Sequence, residues 1–186
     1  MDPVAGQDMS EKQLTTQTVY QGKLLHVVAD TVLLLNGREA TREYILHPGA
    51  AMILALVDEN TIVLERQYRY PLDRHFIEIP AGRIDPGEVP LDTAKRELRE
   101  ECGYVAREWR HLTTLHPNIG YANERIELYL ARGLTAVARA PDEDEFLEVL
   151  HVPLTEALAW VRDGTITEAK AVTGLLWAEK ILRGEW

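Results

Sequence analysis

The sequence predicts an α/β protein, an α/β/α sandwich built on a mixed sheet. Through residues 18–79, short runs rich in apolar and β-branched residues are separated by turn signals, a pattern typical of strands. One helical segment then follows in the middle of the chain, and two more close it after a second set of strands. Strands and helices in this order favour helices packed on both faces of one sheet.

The strands are predicted from hairpin signals and apolar runs. Residues 27–35 and 41–47 flank Asn36-Gly37, a dipeptide typical of tight hairpins. Residues 50–57 are continuously apolar, which indicates a buried central strand, and a second hairpin joins them to residues 61–70. Further strands are predicted near residues 107–115, 124–132 and 145–152.

Three helices are predicted from apolar spacing and end signals. The first runs from Pro90, which suits a first helical turn, to Gly103, a residue typical of helix ends. The other two cover residues 155–163 and about 168–182. Residues 80–87, which are rich in proline and glycine, are expected to form a loop.

Composition excludes several classes of protein. The chain has 186 residues, a length typical of one domain, and its net charge of −10 argues against a broad nucleic-acid-binding face. No apolar run is long enough to cross a bilayer, and no secretory signal is visible. Cys102 is the only cysteine, so an intrachain disulfide is impossible. We therefore expect a cytoplasmic protein without nucleic-acid or membrane partners.

Acidic residues are concentrated on one side of the first helix. Leu91, Ala94, Leu98 and Cys102 form its apolar stripe, and Glu97 and Glu101 lie together beside that stripe, with Glu100 further round. Like charges one turn apart repel, whereas a divalent cation would make the same pair favourable. Carboxylate oxygens are the ligands that Mg²⁺ takes in proteins, usually together with substrate phosphates.

The neighbouring residues fit such a site. Arg96 lies four residues before Glu100 and can pair with it on the helix surface. Gly82 lies in the preceding loop, where a residue without Cβ permits close approach of the backbone, and the carbonyl of Ala81 is a candidate further ligand. Glu88 stands where the loop enters the helix, where a carboxylate can meet exposed backbone N–H groups.

These residues resemble the Nudix box, whose pattern is G-x5-E-x7-R-E-U-x-E-E-x-G-U with U a bulky aliphatic residue. Every fixed position of the pattern is matched, and Tyr104 in the final U position is the one departure. The matching residues are Gly82, Glu88, Arg96, Glu97, Leu98, Glu100, Glu101 and Gly103. An acidic amphipathic helix with a solvated face would explain neither the loop glycine nor the spacing. The resemblance implies the Nudix fold and Mg²⁺-dependent hydrolysis of a nucleoside diphosphate derivative, with Mn²⁺ able to substitute.

Residues 18–183 are similar to the ADP-ribose pyrophosphatase and nucleotide-sugar hydrolase branch of that family. The resemblance rests on Arg42-Glu43, on Arg69 within ERQYRYP, on Glu78 before Pro80-Ala81-Gly82, and on Pro117 and Gly120 beyond the box. It implies that these residues bind substrate, with Arg69 gripping the diphosphate or adenylate. It also implies a homodimer in which an N-terminal antiparallel sheet of one chain helps to build the partner's site.

The resemblance divides the chain into three regions. We predict a loosely ordered tail over residues 1–14, an N-terminal dimerisation sheet over residues 15–47 and a Nudix catalytic domain over residues 48–186.

A run of acidic residues, 142–148, carries five carboxylates and no basic side chain. Such runs are usually solvated. In the ADP-ribose branch, however, a similar loop brings a general base and a further metal ligand over the diphosphate. The resemblance places Glu143 at the base position and Glu145 at the metal-ligand position. The predicted metal ligands are therefore Ala81, Glu97, Glu100, Glu101 and Glu145, and the predicted catalytic residues are Glu100, Glu101 and Glu143.

The sequence leaves the substrate open. Asn118-Ile119 departs from the loop of familiar ADP-ribose hydrolases, so other nucleotide sugars remain candidates. Nucleoside triphosphates or dinucleotides are the alternative substrates for an enzyme. The alternative from another class is a non-catalytic nucleotide-sugar sensor, which usually lacks box carboxylates or carries an added DNA-binding domain.

Overall fold

The computed structural model describes residues 6–141 and 145–186, whose contacts divide into two compact units. The first unit contains the chain up to His47 together with Asn118–Glu124. The second contains Pro48–Pro117 and Arg125–Trp186. Among the described residues, no helix combines the length and apolar character that a membrane crossing would need.

The first unit is an antiparallel sheet of three strands in the order β1-β2-β3. These strands are β1 (Lys12–Gln21), β2 (His26–Leu33) and β3 (Glu39–Ile45). The hairpin predicted at Asn36-Gly37 is confirmed, since β2 pairs with β3 and the N–H of Leu34 donates to the carbonyl of Arg38 at 2.8 Å. Because β1 begins at Lys12, residues 12–14 belong to the sheet and not to the expected tail.

A loop from later in the chain completes the first unit. The N–H of Ile45 donates to the carbonyl of Tyr121 at 2.9 Å, and the N–H of Asn123 donates to the carbonyl of Ile45 at 3.2 Å. The side chain of Asn123 also accepts the N–H of His47 at 2.7 Å. Residues 118–124 therefore extend the edge at the end of β3, although the sequence grouped them with residues 48–186.

The second unit has two sheets. Its strands are β4 (Ala50–Ala55), β5 (Thr61–Arg69), β6 (Arg74–Glu78), β7 (Ala81–Arg83), β8 (Tyr104–Leu115), β9 (Ile126–Ala136) and β10 (Leu147–Pro153). One sheet has the order β10-β5-β6 and is antiparallel throughout. The other has the order β7-β4-β9-β8 and is mixed, because β4 and β9 run parallel while the other pairs are antiparallel.

The strand β4 is buried on both faces, as its continuous apolar sequence predicts. The helices are α1 (Pro90–Glu100), α2 (Leu154–Asp163) and α3 (Ala169–Leu182). Met52 and Leu54 share a core cluster with Leu175 of α3, whereas Ile53 on the opposite face shares one with Leu98 of α1. Helices thus cover both faces of the mixed sheet, and the predicted α/β/α sandwich is confirmed.

One short strand differs from the expected loop. Residues 81–83 form β7, which pairs with β4 through Met52↔Ala81 and Ala51↔Gly82. A three-residue strand beside proline and glycine has no periodicity of its own, so only the pairing with β4 defines it. This pairing fixes the backbone of Ala81 and Gly82 next to α1.

Candidate active site

Two acidic side chains are buried beside the apolar stripe of α1. Ala94, Leu98 and Cys102 pack in one core cluster, as the helical spacing predicts. Glu97 and Glu101 flank this stripe and are only 9% and 4% exposed. Burying a carboxylate without a compensating cation is costly. The helix therefore holds a buried acidic pair at a place where a purely structural protein would put apolar residues.

Gly82 permits the close approach between β7 and α1. A Cβ built on Gly82 would lie 1.8 Å from Oε1 of Glu97, closer than any atoms can pack. The Glu97 carboxylate therefore occupies the space that any other residue at position 82 would fill. The requirement for glycine at this position is a property of the site, because it seats one acidic group against the backbone.

Arg96 holds several of the predicted site residues together. Its Nε and Nη2 atoms donate to Glu88 at 3.0 Å each, and its Nη1 atom donates to Glu97 at 2.7 Å and to Glu100 at 3.1 Å. These bonds lower the pKa of Glu88 to about 2, with the Arg96 hydrogen bond as the main cause. Arg96 therefore organises the carboxylates, and the predicted pairing with Glu100 is confirmed.

Glu88 joins the loop before α1 to the helix. Besides Arg96, its carboxylate accepts the hydroxyl of Thr93 at 2.7 Å and the N–H of Asp85 at 3.3 Å. The helix ends at Glu100, three residues before the expected Gly103. Gly103 follows that end with a φ of 72°, the left-handed conformation that favours glycine, and its N–H donates to the carbonyl of Arg99 at 3.0 Å. The positions of Glu88 and Gly103 in the box thus have a local cause on either side of α1.

The two buried carboxylates lack full compensation. Burial raises the pKa of Glu97 to about 7, against the opposing effect of Arg96. Burial, followed by the charges of Glu65 and Glu97, raises the pKa of Glu101 well above its usual range. The Ala81 N–H donates to Oε2 of Glu101 at 3.2 Å, which is too little to offset these effects. Additional positive charge at this place would relieve the crowding.

A further buried carboxylate, Glu65 on β5, was not predicted from the sequence. The Cys102 thiol donates to its Oε1 atom at 3.0 Å, and burial raises the pKa of both groups. The signal was present in the sequence, because an acidic residue interrupts the otherwise apolar first half of this strand. Glu65 adds a third negative group near Glu101.

A cavity of about 410 Å³ collects the predicted metal ligands. Its lining includes Ala81, Glu97, Glu100, Glu101 and Glu145, together with Gly82 and Arg96. In the part of the chain that the structure describes, no three His, Cys, Asp or Glu side chains already stand in metal-binding geometry. The donor set nevertheless fits a hard divalent cation, since it consists of four crowded carboxylates and one backbone carbonyl, with Glu97 and Glu101 buried.

Glu145 is the only member of the predicted catalytic loop that the structure describes at that cavity. Asp142, Glu143 and Asp144 lie outside the described residues, so the position of the predicted base, Glu143, is a prediction still. The strand that follows the loop pairs Leu147 with Gln67 of β5.

Arg69 at the end of β5 is held by Glu78. Its Nε and Nη2 atoms donate to the two carboxylate oxygens of Glu78 at 2.6 and 2.8 Å. Burial alone would raise the pKa of Glu78, but the bonds from Arg69 and the charge of Lys170 outweigh burial and lower it. The side chain of Glu78 is 5% exposed, whereas that of Arg69 is 46% exposed. This geometry gives Glu78 a role in orienting Arg69.

Three predicted substrate residues lie in the first unit. Arg42, Glu43 and Gly120 line a pocket of about 240 Å³, beside the exposed side chains of Ile119 and Tyr121. Arg42 is paired there with Glu11, whose Oε2 accepts from Nε at 2.9 Å. Pro117 belongs to the second unit and opens the turn before this loop, with its side chain exposed. The structure thus groups Arg42, Glu43 and Gly120 separately from the carboxylates on α1.

Comparison with known proteins identifies the family. Residues 46–172 match the NUDIX domain, and residues 11–45 match the nucleoside diphosphate sugar hydrolase N-terminal domain. Since the first match covers most of the chain, the protein belongs to the Nudix family, and the Nudix fold predicted from the box is confirmed.

Relatives of this chain include proteins with different names. It is 39% identical over 169 residues to a methanol dehydrogenase activator of Bacillus methanolicus, covering 90% of this chain and 91% of that protein. It is also 39% identical over 164 residues to an ADP-ribose pyrophosphatase of Bacillus subtilis, covering 87% and 89%. The crystal structure of an ADP compounds hydrolase superposes with a TM-score of 0.85 and 27% identity, covering 97% of this chain and 98% of that one.

Proposed function

We propose that this protein hydrolyses the diphosphate linkage of ADP-ribose or a related nucleoside diphosphate sugar. The products are a nucleoside monophosphate and a sugar phosphate. The observation that carries the proposal is the buried pair Glu97 and Glu101, which shares a cavity with Glu100 and Glu145. Carboxylates outnumber the two basic side chains that line this cavity, Arg83 and Arg96. The N-terminal domain match and the ADP-ribose pyrophosphatase relative support this substrate class.

The proposed cofactor is Mg²⁺, with Mn²⁺ able to substitute, held by Ala81, Glu97, Glu100, Glu101 and Glu145. Ions bound there would neutralise phosphate oxygens and lower the pKa of the attacking water. Arg96 keeps Glu97 and Glu100 oriented, and Gly82 leaves room for the Glu97 carboxylate. The chain itself thus supplies a fixed frame of oxygen ligands.

In this proposal Arg69 binds the diphosphate and Glu143 acts as the general base. Arg69 presents its Nη1 edge to the phosphate oxygens, because Glu78 occupies the other side of the guanidinium group and none of residues 6–141 and 145–186 pairs with Nη1. Glu143 takes the proton from a water molecule, whose oxygen attacks one phosphorus atom. The bond from that phosphorus to the bridging oxygen then breaks, and the second phosphate group leaves with the sugar or the nucleoside.

A panel of substrates tests the proposal. ADP-ribose, GDP-mannose, ADP-glucose, a dinucleoside diphosphate and dATP are each incubated with the protein and Mg²⁺, and products are separated chromatographically. We expect ADP-ribose or another nucleotide sugar to give the highest kcat/KM, with a nucleoside monophosphate and a sugar phosphate released in equal amounts. Preference for dATP would favour the triphosphate alternative, and binding without turnover would favour a sensor.

The glycine at position 82 gives a first testable variant. Gly82→Ala is expected to lower kcat/KM about 10²-fold, since the added Cβ pushes the Glu97 carboxylate from its place. The group that must move is the far end of a flexible side chain, so thermal melting is expected to change little. Wild-type kinetics in Gly82→Ala would contradict the close packing of Glu97 against residue 82.

The acidic run gives a second test, in which Glu145 is compared with Glu148, a nearby acidic residue of the same run. Glu145→Gln is expected to raise the Mg²⁺ concentration needed for half-maximal rate, because Glu145 lines the cavity. Glu148→Gln is the control, since Glu148 is exposed and pairs with Arg66 at 3.4 Å. Equal Mg²⁺ requirements in both variants and the wild type would remove Glu145 from the ligand set.

The predicted base is tested separately by kinetics. Glu143→Gln is expected to lower kcat about 10²- to 10⁴-fold with little change in KM, the usual contribution of a general base. A kcat close to that of the wild type would transfer the role to another residue.

A homodimer through the N-terminal sheet is also part of the proposal. The strand β1 is exposed along its whole length and lies at the edge of its sheet, with the apolar side chains of Leu14, Val19 and Tyr20 exposed. Such edges are usually covered by another chain or element. Light scattering at micromolar concentration is expected to give the mass of a dimer. A fully active monomer would contradict this assembly.

A cytoplasmic location is proposed because Cys102 is a free thiol. Cys102 is free and buried within the core cluster of α1. Proteins of oxidising compartments more often use cysteines in disulfides.

A further inference from the structure

Lys170, on the first turn of α3, contacts Glu78, the residue whose carboxylate binds Arg69. Its Nζ atom lies 3.7 Å from Oε2 of Glu78 and donates to Oε1 of Glu168 at 2.7 Å. Arg69, Glu78, Lys170 and Glu168 therefore form a continuous series of alternating charges, here called the ion-pair chain. No pattern in the sequence pointed to the contact of Lys170 with Glu78, because these two residues lie about 90 positions apart along the chain.

The far end of the ion-pair chain is anchored to a helix. Glu168 is the N-cap residue of α3, and its Oε2 atom accepts the N–H of Ala171 at 2.8 Å. Its other oxygen binds Lys170, so the capping bond and the ion pair fix the same carboxylate. Lys170 is thus held at a definite place relative to α3, whose buried face packs in the main core cluster.

The near end of the ion-pair chain faces solvent. The Nε and Nη2 atoms of Arg69 donate to Glu78, and its Nη1 atom has no partner among the residues that the structure describes. A guanidinium group is planar, so the direction of the free Nη1 edge is set by the orientation of the Glu78 carboxylate. Any rotation of that carboxylate would turn the edge that is available to a phosphate.

We propose that Lys170 is a positioning residue, which fixes the buried carboxylate of Glu78 through Oε2, the oxygen that also accepts from Nη2 of Arg69, and thereby aims the Nη1 edge of Arg69 at the diphosphate. This inference rests on the proposed function for the identity of the ligand. The geometry of the ion-pair chain itself does not depend on the substrate. Without Lys170, Arg69 is the one side-chain partner of Glu78 left in the described part of the chain, and the two side chains turn together.

Steady-state kinetics on ADP-ribose with Mg²⁺ gives the first test. Lys170→Met is expected to lower kcat/KM about 10-fold, mainly through a higher KM, as is usual when the support of a binding group is removed. Lys170→Arg is expected to recover most of this loss because it restores the cation. Lys180→Met is the matched control, since Lys180 lies on the same helix and its partner, Glu185, is near the end of the chain.

The Arg69→Ala background separates a positioning role from a general loss of stability. There, Lys170→Met is expected to cost no more than about twofold, because the group that it positions is gone. An equal loss in both backgrounds, or a Lys170→Met enzyme that behaves like Lys180→Met, would overturn the proposal.

A measurement without substrate keeps the two proposals distinguishable. The ¹⁵N–¹H signal of Arg69 Nε, assigned by its absence in Arg69→Ala, is expected to be sharp in the wild type and to shift and broaden in Lys170→Met. An identical signal in both proteins would overturn the positioning role. If the wild type hydrolysed no member of the substrate panel, the proposed function would fail, and this signal would still decide the role of Lys170.

Discussion

Replacing Glu101 with glutamine is expected to lower kcat by about 10³-fold, because a metal ion contributes several kcal/mol to the stabilisation of the transition state and this carboxylate helps to hold it. Glutamine has the shape of glutamate but no charge. Its side-chain oxygen can still accept the Ala81 N–H that Glu101 accepts at 3.2 Å. The variant therefore removes the charge of the ligand and keeps its local packing.

The same variant is expected to be at least as stable as the wild type when no metal is added. Glu101 is 4% exposed, and its charge is opposed by Glu65 and Glu97. On folding, the wild-type carboxyl must either take up a proton or bury its charge beside Glu65 and Glu97, and both cost stability at neutral pH. Glutamine avoids both costs, so the melting temperature should stay level or rise while activity falls. A trade of stability for function is typical of active sites.

An exposed acidic residue serves as the control for Glu101. Glu108 on β8 pairs with Arg107 at 2.8 Å on the surface, and Glu108→Gln is expected to keep wild-type kinetics. Kinetics and melting curves are recorded for both variants at saturating Mg²⁺. A well-folded Glu101→Gln protein with a kcat near that of the wild type would remove Glu101 from the catalytic site.

Removal of divalent metal is expected to abolish turnover of every nucleotide tested. Excess EDTA should reduce the rate to background, and Mg²⁺ or Mn²⁺ added beyond the chelator should restore it. The physical reason is that Glu97, Glu100, Glu101 and Glu145 line one cavity, and bare carboxylates would repel a diphosphate. Ionic strength is matched with NaCl in a parallel sample, which is expected to rescue nothing.

Binding of metal should also stabilise the fold. Since a ligand that binds only the folded state raises its stability, Mg²⁺ is expected to raise the melting temperature of the wild type more than that of Glu101→Gln. Undiminished hydrolysis in EDTA would rule out the metal mechanism, whatever the melting curves show.

The parts of the site that could be predicted from the sequence are those that depend on local spacing. The apolar stripe through Ala94 and Leu98 determines which face of α1 packs against the core, and this places Glu97 and Glu101 at the border of that face. The pairing of Arg96 with Glu100 follows from the same helical geometry. These features need only one element, and the sequence of that element determines them.

The parts that could not be predicted depend on contacts between distant elements. The strand β7 exists because it pairs with β4, and its three residues carry no pattern of their own. Glu65 on β5 meets Cys102 beyond the end of α1, and Lys170 on α3 meets Glu78 on β6, only because these elements come together in the folded second unit. The loop 118–124 likewise joins the first unit through hydrogen bonds to Ile45. Sequence periodicity contains no information on such pairings.

Direct binding of Mn²⁺, followed by electron paramagnetic resonance, tests the central claim that the buried carboxylates of α1 form a divalent-metal site. Three proteins are titrated without substrate: the wild type, Glu101→Gln and the surface control Glu108→Gln. We predict that the wild type and Glu108→Gln bind Mn²⁺ with equal affinity, and that Glu101→Gln binds it at least about 10-fold more weakly. Equal Mn²⁺ affinity in all three proteins would contradict the account.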